Sequence, residues 1–417
     1  MQTTRILYCE SNKDGTIGGS YHSLLQLVQR LDKNRYKPIV VFYTPNRLIP
    51  AFEAAGADVH IAPSTAPLRF SQAQNGWLRK CLVPLQRAAR FSQLAFEGIR
   101  RARFLRRERI DLVHLNNSVH LGHDWMLAAR LLRIPCMTHQ RGILDETRLR
   151  GGLAERLTRY HARHLDAVIS ISDAVSESLR GRRIQCRHIV TIHNGIDPDG
   201  FSARASTDSL RRAHDIPAEA PIIGVIGNVK GWKGQETAVR ATALLKRHHP
   251  EIRCLLVGDI PDKAYGERLQ HLRRELDITC NVVFTGFKDE VADYVSLLDV
   301  MLHTSVTPEP FGRVLLEGML LQRPVIATAI GGPLEIIEHG KHGFLVPPND
   351  PEALARTAQE LLASPELRRR IGQTARAHVL ERFTIDHNLR KTEAIYQRLL
   401  SRLLSRLPQP VQPAGAA

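Results

Sequence analysis

Short apolar runs alternate along nearly the whole chain with longer segments whose apolar residues recur at helical spacing. Short runs bounded by turn-forming residues predict buried strands, and the segments between them predict helices. The predicted strands are 5–9, 38–43, 57–61, 111–115, 135–138, 167–171 and 188–192, followed by 222–227, 252–257, 281–285, 299–304, 324–328 and 343–346. This alternation is typical of doubly wound α/β domains with parallel sheets.

A segment dense in turn-forming residues, 194–203, separates the two series of strands. It predicts a first domain at 1–197 and a second, also Rossmann-like, at 198–380. A helical segment at 381–407 follows, which could return to the first domain. The last residues, 408–417, read PQPVQPAGAA and predict a disordered tail.

The 417 residues include six cysteines that lie far apart and form no C-x-x-C pair, so neither a disulfide framework nor a zinc site is indicated. A reducing cytoplasm is the expected compartment. The chain enters its first strand at residue 5 without a signal-like segment, and no run approaches the ~20 apolar residues of a membrane span. We therefore expect a protein that is neither secreted nor transmembrane.

The net charge of +16 favours an anionic partner, and its distribution points to one segment. Residues 69–109 hold eleven Lys or Arg against two Glu, interleaved with bulky apolar residues. Such a mixture predicts amphipathic helices that lie on an anionic membrane. The alternative is a helix whose apolar stripe packs on its own sheet while its arginines are solvated. No nucleic-acid-binding motif accompanies the charge, so a nucleic-acid partner is not expected.

Two glutamates lie eight residues apart around a Pro-Phe-Gly turn in the stretch TPEPFGRVLLEGM, at 307–319. Pro310 disfavours helix at Glu309, whereas the apolar pattern after the turn predicts a helix that contains Glu317. Because ligands of parallel sheets collect beyond the carboxyl ends of the strands, this loop is a natural ligand site. The alternative is a proline-initiated helix with one capping and one solvated glutamate.

Glycine-containing loops follow three other strands. The loop at 15–20 opens a helix without the spacing of a dinucleotide or P-loop motif, so an ordinary turn explains it equally well. The loop at 228–234 carries Lys230 and Lys233, point charges suited to a diphosphate or to plain solvation. The loop at 329–335 contains paired glycines able to admit a sugar or phosphate, although capping accounts for its Pro333 and Glu335.

Candidate metal ligands lack a complete set. The Asp-Pro-Asp triplet at 197–199 lies in the linker, where a turn explains both aspartates. The histidine pairs within 120–123 and 161–164 have ligand spacing but no neighbouring carboxylates or cysteines in the sequence. We therefore expect no metal site. His139 follows the strand-like run 134–138 and is expected to face a cleft, with a structural histidine as the alternative.

Together these residues resemble the retaining glycosyltransferases of family 4, whose GT-B fold consists of two Rossmann-like doubly wound domains facing across a cleft. The resemblance covers almost the whole chain. Glu309 and Glu317 match the E-x7-E motif of the family at the right place in the second domain. Other matching features follow in family order: the glycine turn at 15–19, His139, the linker 194–197, Lys233-Gly234, Gly331-Gly332 with Glu335, and 343–347 with Asp350.

The resemblance implies the roles of these residues. The implied catalytic residues are Glu309, His139 and Lys233, with His139 contacting the sugar from the opposite domain. The implied donor-binding residues are Gly18, Gly19, Asn228, Lys230, Lys233, Phe311, Gly312, Glu317, Gly331 and Gly332. One departure is Asn228, which stands where many members carry an arginine beside the diphosphate-binding lysine, and Lys230 is a possible substitute.

The implied function is retaining, hexosyltransferase-like transfer from a nucleotide-diphosphate sugar to a glycan or lipid-linked acceptor. No cofactor or metal is implied, and the expected setting is polysaccharide or lipopolysaccharide-type biosynthesis at the cytoplasmic face of the plasma membrane. An epimerase or phosphorylase of the same fold is one alternative. A catalytically idle protein that binds sugar nucleotide or glycan as an assembly partner is another.

Overall fold

The computed structural model describes residues 3–10, 17–63, 76–144 and 152–404. These residues form two compact units. The first contains the described residues up to 171, residues 175–192 and residues 389–404, and the second contains residues 172–174 and 193–388.

The first unit is built on a seven-stranded parallel sheet in the order β3-β2-β1-β4-β5-β6-β7. Its strands are β1 (Thr4–Glu10), β2 (Tyr36–Phe42), β3 (Asp58–Ile61), β4 (Leu112–Asn117), β5 (Cys136–Gln140), β6 (Ala167–Ser170) and β7 (Ile189–Thr191). The helices between them are α1 (Gly19–Arg30), α2 (Ile49–Ala54), α3 (Gly76–Arg107), α4 (His123–Leu132), α5 (Gly152–Ala162) and α6 (Asp173–Gly181), whose first two residues belong to the second unit.

Both faces of this sheet are covered, as the apolar runs require. On β1, Ile6 and Tyr8 join the core on one face, while Leu7 and Cys9 join the core on the other. Side chains alternate across a strand, so a run that is apolar at every position needs cover on both sides.

The second unit has a six-stranded parallel sheet in the order β10-β9-β8-β11-β12-β13. Its strands are β8 (Ile222–Ile226), β9 (Arg253–Val257), β10 (Val282–Gly286), β11 (Val300–His303), β12 (Val325–Thr328) and β13 (Phe344–Val346). Its helices are α7 (Thr207–Ala213), α8 (Gln235–Leu245), α9 (Lys263–Glu275), α10 (Val291–Leu297), α11 (Arg313–Leu320), α12 (Pro333–Ile336), α13 (Pro351–Ala363) and α14 (Pro365–Arg382), and α15 (Ile385–Leu404) begins in this unit and continues in the first.

In the second unit the strand order reverses direction between β8 and β11, which are hydrogen-bonded neighbours. Loops leaving the carboxyl ends of strands at such a switch point diverge and open a crevice where ligands of α/β proteins bind. In the first unit the equivalent pair is β1 and β4. The fold therefore marks one ligand-binding edge in each sheet.

The predicted architecture is confirmed. Each of the predicted strands is present, and their ends agree with the prediction to within two residues. The helix predicted after the Pro-Phe-Gly turn is α11, and Glu309 lies in the loop before it.

Residues 76–107 of the basic segment form the long helix α3, and residues 69–75 lie outside the described residues. Arg101 does not present its charge outward. It is 2% exposed, its Nε donates to Asp124 Oδ2 at 3.0 Å, and its guanidinium also donates to the carbonyl of Ala62 at 3.1 Å. Leu105, one turn further along, is fully buried. The prediction that the cations of this segment contact lipid or solvent is therefore wrong for Arg101, whose role is structural.

The opposite half of α3 is exposed. Phe96 and Ile99 are 59% and 50% exposed, and Arg103 and Arg107 are also exposed there. No helix in the described part of the chain is long and apolar enough to cross a membrane.

Replacement of Arg101 by Gln is expected to lower the free energy of unfolding by about 3–5 kcal/mol, because the nearly buried carboxylate of Asp124 would lose its charged partner. Urea titration followed by tryptophan fluorescence measures the change, since the Arg101 guanidinium lies 4.9 Å from the ring of Trp125.

The matched control is Arg106→Gln, an exposed position on the same helix, where we expect a change below about 0.5 kcal/mol. Equal effects at positions 101 and 106 would contradict a structural role for Arg101.

Candidate active site

Two loops at the switch point of the second sheet are joined by hydrogen bonds to backbone carbonyls. The hydroxyl of Thr304, after β11, donates to the carbonyl of Lys233 at 3.0 Å, and Val306 N donates to the carbonyl of Trp232 at 2.9 Å. A Cβ at Gly234 would lie 2.0 Å from the Thr304 carbonyl oxygen, and its φ of +65° also favours glycine. Gly234 thus allows the close approach that brings Lys233 to the loop after β11.

Lys233 and Glu309 form a largely buried ion pair in this place. The Nζ of Lys233 lies 2.8 Å from Glu309 Oε2, and the two side chains are 16% and 11% exposed. Ser305 Oγ donates to the same oxygen at 3.0 Å, and His303 Nε2 lies 3.5 Å from it. The Nζ also sits 4.4 Å from the centre of the Trp232 ring. Within the described residues all these polar contacts use Oε2, and Oε1 remains available to a ligand.

The environment keeps Glu309 ionised. Burial would raise the pKa of its carboxyl, but the neighbouring His303 ring and the adjacent charge of Lys233 outweigh burial and hold that pKa well below the ordinary value. A fixed carboxylate that stays charged across the physiological range is suited to accept hydrogen bonds from sugar hydroxyls.

The paired glycines at 331 and 332 pack against the Glu309 loop. Gly332 N donates to the carbonyl of Glu309 at 2.8 Å, and a Cβ at Gly332 would lie 2.3 Å from the Cα of Phe311. A Cβ at Gly331 would lie 2.5 Å from the Glu309 carbonyl oxygen. The sequence predicted that these glycines make room for a ligand. In the structure their lack of a side chain allows the backbone of the Glu309 loop to pack closely against them.

The second motif glutamate lies one turn into α11. Gly312 precedes this helix with a φ of +97°, and Phe311 is buried beside it. Burial raises the pKa of Glu317, while the charges of Arg313 and Lys233 act in the opposite direction. The charge of Lys233 therefore acts to lower the pKa of both glutamates of the motif.

Asn228 and Lys230 are less closely connected to this centre. Asn228 is exposed, and its carbonyl accepts a hydrogen bond from Gln235 Nε2 at 3.1 Å. In the described part of the chain, neither side chain forms a hydrogen bond or ion pair with Lys233 or Glu309. Their donor-binding roles stay predictions.

In the first unit His139 lies inside β5, one residue before its end, whereas the sequence placed it after the strand. Its side chain is 1% exposed, and its Nδ1 lies 2.6 Å from His114 Nε2. Gly18 caps α1 and is exposed with Gly19, and no described atom lies within 4 Å of a Cβ built at Gly18. Residues 15 and 16 of that predicted turn lie outside the described residues.

The candidate metal ligands have other functions in the fold. Asp197 Oδ1 accepts the N–H of Asp199 at 3.2 Å, which is the turn predicted for that triplet. Within the described residues, Asp173, His193 and Glu335 have ligand atoms within 4.8 Å of one another. The Glu335 carboxylate there accepts the backbone N–H groups of Asp173 and Ala174, at 2.8 and 2.9 Å, and it contacts His193. Hydrogen bonding thus already occupies this carboxylate.

Sequence reasoning missed His303 and Ser305, the two residues that hold Glu309 beside Lys233. Both lie within six residues of Glu309, at or just after the end of the preceding strand. Polar residues at the carboxyl end of a strand of mostly apolar residues were the available signal, since that edge carries the ligand site.

Two family models match this chain, one on each side of the predicted boundary between its two domains. Residues 17–199 match the model of Glycosyltransferase Family 4, and residues 206–378 match that of Glycosyl transferases group 1. The N-acetyl-alpha-D-glucosaminyl L-malate synthase of Bacillus anthracis is 30% identical over 302 residues, covering 72% of this chain and 77% of that protein.

Two further similarities are to another relative and to a solved structure. The lipopolysaccharide core biosynthesis glycosyltransferase LpsE of Rhizobium meliloti is 26% identical, over 60% of this chain and 68% of that protein. HepE of Anabaena, crystallised with UDP, superposes with a TM-score of 0.78 at 22% identity, covering 95% of this chain and all of that one. The likeness to HepE shows a shared GT-B fold.

Replacement of Lys233 by Met is expected to lower the free energy of unfolding by about 3–5 kcal/mol, because it leaves the buried Glu309 carboxylate without its cation. The double variant Lys233→Met with Glu309→Gln is expected to recover part of that loss, because no charge is then buried alone. Urea titration of the wild type, both single variants and the double variant gives the coupling energy.

The pH dependence provides a control. Because the pKa of Glu309 is lower in the folded protein, the stability from this pair is present above the ordinary value of 4.5 and is lost as pH falls through the lower folded pKa. The double variant should lack this component. Additive effects of the two substitutions would contradict the coupling inferred from the geometry.

Proposed function

The chain belongs to the group 1, family 4 glycosyltransferases, and from this membership we propose a retaining transfer of a hexose-like sugar from a nucleoside diphosphate donor. The observation that carries the proposal is the buried Lys233–Glu309 pair at the switch point of the second sheet, with Glu317 one helical turn beyond. A cation and two carboxylates suit a diphosphate and the hydroxyls of a ribose and a sugar.

In this proposal Lys233 faces the diphosphate, where negative charge develops as the bond from the anomeric carbon to the phosphate oxygen breaks. Glu309 holds the sugar through its available Oε1, with Phe311 and Gly312 supplying backbone contacts. The acceptor oxygen bonds to the anomeric carbon on the same face, and its proton passes to the departing diphosphate. Glu317 binds the ribose, and His139 contacts the substrate.

The donor class has support from the fold neighbour HepE, which was crystallised with UDP and with UDP-glucose. Uridine nucleotides are therefore the first donors to assay. The name of LpsE supports a glycan or lipid-linked acceptor in lipopolysaccharide-type or polysaccharide synthesis. L-Malate, named for the Bacillus anthracis relative, is the small-acceptor comparison for the same assay.

The exposed half of α3 supports a peripheral site of action on the cytoplasmic face of the plasma membrane. Phe96 and Ile99 share that half with exposed arginines, as in helices that lie in a membrane interface. Beside it, Arg100, Arg103 and Arg107 help to line a cavity of about 360 Å³. Apolar anchors and cations on one surface suit an anionic bilayer, where a lipid-linked acceptor would reside.

Replacement of Glu309 by Gln is expected to lower kcat/KM roughly a hundredfold or more, because an amide cannot replace the fixed charge that orients the donor. Mass spectrometry of products from a panel of nucleotide sugars and acceptors measures it. The matched control is Glu338→Gln, an exposed glutamate paired with Lys341, which should retain full activity. Wild-type turnover in Glu309→Gln would refute the assignment, and a wild type that neither transfers nor hydrolyses any donor would favour the idle binding protein.

We also propose that transfer needs no divalent metal, because Lys233 supplies the positive charge that faces the diphosphate. Incubation with EDTA followed by desalting is expected to leave the transfer rate nearly unchanged. Loss of activity that manganese or magnesium restores would contradict this part of the proposal.

Membrane attachment through α3 is tested by flotation with anionic liposomes. Replacing Arg100, Arg103, Arg106 and Arg107 by Gln, while retaining the structural Arg101, is expected to reduce flotation strongly at low salt. Each well-placed cation contributes up to about 1 kcal/mol near an anionic surface, and the attraction fades as salt shortens the Debye length.

The control removes the same charge from exposed positions of the second unit, namely Arg247, Arg274, Arg369 and Arg370. That variant should float like the wild type, and both variants should hydrolyse donor normally in solution. Equal flotation of the two variants would show that total charge, rather than α3, attracts the membrane.

A further inference from the structure

A chain of hydrogen bonds runs through the buried core of the first unit and ends at His139. Tyr8 Oη lies 3.2 Å from Tyr396 Oη, Tyr396 Oη lies 2.6 Å from His114 Nδ1, and His114 Nε2 lies 2.6 Å from His139 Nδ1. None of the four side chains is more than 1% exposed. Three of them come from strands β1, β4 and β5, and Tyr396 comes from α15, more than 250 residues along the chain from the others.

Neither histidine in this chain of hydrogen bonds, His114 or His139, carries a charge at neutral pH. Burial, followed by the charge of Arg141, lowers the pKa of His114 to about 3 and the pKa of His139 well below its ordinary value. A neutral imidazole has one N–H donor and one acceptor nitrogen. The bond between the two rings therefore has a direction, and each ring has one defined tautomer.

The Tyr8 end of the chain decides this direction. Within the described residues, Tyr8 Oη makes one hydrogen bond, to Tyr396. If protons pointed from His139 toward Tyr8, the Tyr8 hydroxyl hydrogen would be buried without an acceptor, which is costly. If they point the other way, Tyr8 donates to Tyr396, Tyr396 to His114 Nδ1, and His114 Nε2–H to His139 Nδ1. The hydrogen left without an acceptor is then His139 Nε2–H, which belongs to the one side chain of the four that keeps some exposure, at 1%, whereas Tyr8 is fully buried.

We propose that Tyr396 and Tyr8, acting through His114, are positioning residues that hold His139 as its Nε2–H tautomer. The Nε2 of His139 forms no hydrogen bond within the described residues, so its N–H is the donor that the chain offers to the substrate. His139 thus acts as a neutral hydrogen-bond donor to an oxygen of the sugar. This inference rests on the substrate contact proposed above for His139.

The tautomer itself is measurable without activity. Long-range ¹H–¹⁵N correlation spectra of the full chain with ¹⁵N-labelled histidine, assigned with His114→Gln and His139→Gln, distinguish Nε2–H from Nδ1–H. We expect His139 to be the Nε2–H form in the wild type and a mixture in Tyr396→Phe, which leaves His114 Nδ1 without its donor. An Nδ1–H form in the wild type, or an unchanged spectrum in Tyr396→Phe, would overturn the proposal.

Kinetics then separate positioning from packing. Tyr396→Phe is expected to lower kcat about tenfold with little change in the KM for donor, whereas the same substitution in a His139→Ala background should have no further effect. The matched control is Tyr36→Phe, whose ring contacts Tyr396 edge-on without touching the histidines, and its kcat should equal that of the wild type. An equal loss from Tyr396→Phe in both backgrounds would show a merely structural role.

Failure of the proposed substrate contact can be distinguished from failure of the positioning role. Full activity in His139→Ala would remove the proposed substrate contact while leaving the tautomer result intact. A wild type with the wrong tautomer would overturn the positioning role even if His139→Ala is inactive. Thermal melting of each variant, read beside the spectra, identifies any loss that comes from unfolding.

Discussion

The candidate site depends on one buried ion pair, Lys233 with Glu309. An uncompensated charge in this location would be strongly destabilising, so each residue stabilises the other. Ser305 and His303 converge on the same carboxylate oxygen, and Gly234 lets the lysine loop approach within contact distance. The geometry of the loop after β11 therefore requires both charges, and the same two charges are the ones that would face a diphosphate sugar.

The parallel sheets determine where that pair can form. In the second unit the loops after β8, β11 and β12 leave neighbouring strands at the same edge, so Lys233, Glu309 and the paired glycines meet there although they span about 100 residues of sequence. The first unit repeats the arrangement around β1 and β4, and the strand that carries His139 lies next to β4. Each unit thus brings its candidate site residues together by strand order.

Helix α3 shows that burial determines the role of a charged side chain. Eleven cations in 69–109 look uniform in sequence, yet Arg101 is sequestered between Asp124 and the carbonyl of Ala62, while Arg103 and Arg107 remain exposed beside apolar side chains. The first is part of the fold and the others form a surface. The net charge includes the buried Arg101 and the exposed arginines equally. Only the burial of each guanidinium distinguishes them.

The sequence by itself determined the two α/β domains, the strand positions and the E-x7-E glutamates, because these follow from periodicity, turn residues and spacing, which are local properties. Tertiary structure alone decided that His303 and Ser305 hold Glu309, that Gly331 and Gly332 pack on its loop, and that Tyr396 reaches His114. It also placed His139 inside a strand and buried Arg101. These features depend on contacts between residues distant in sequence, and no local pattern specifies which buried polar groups will meet.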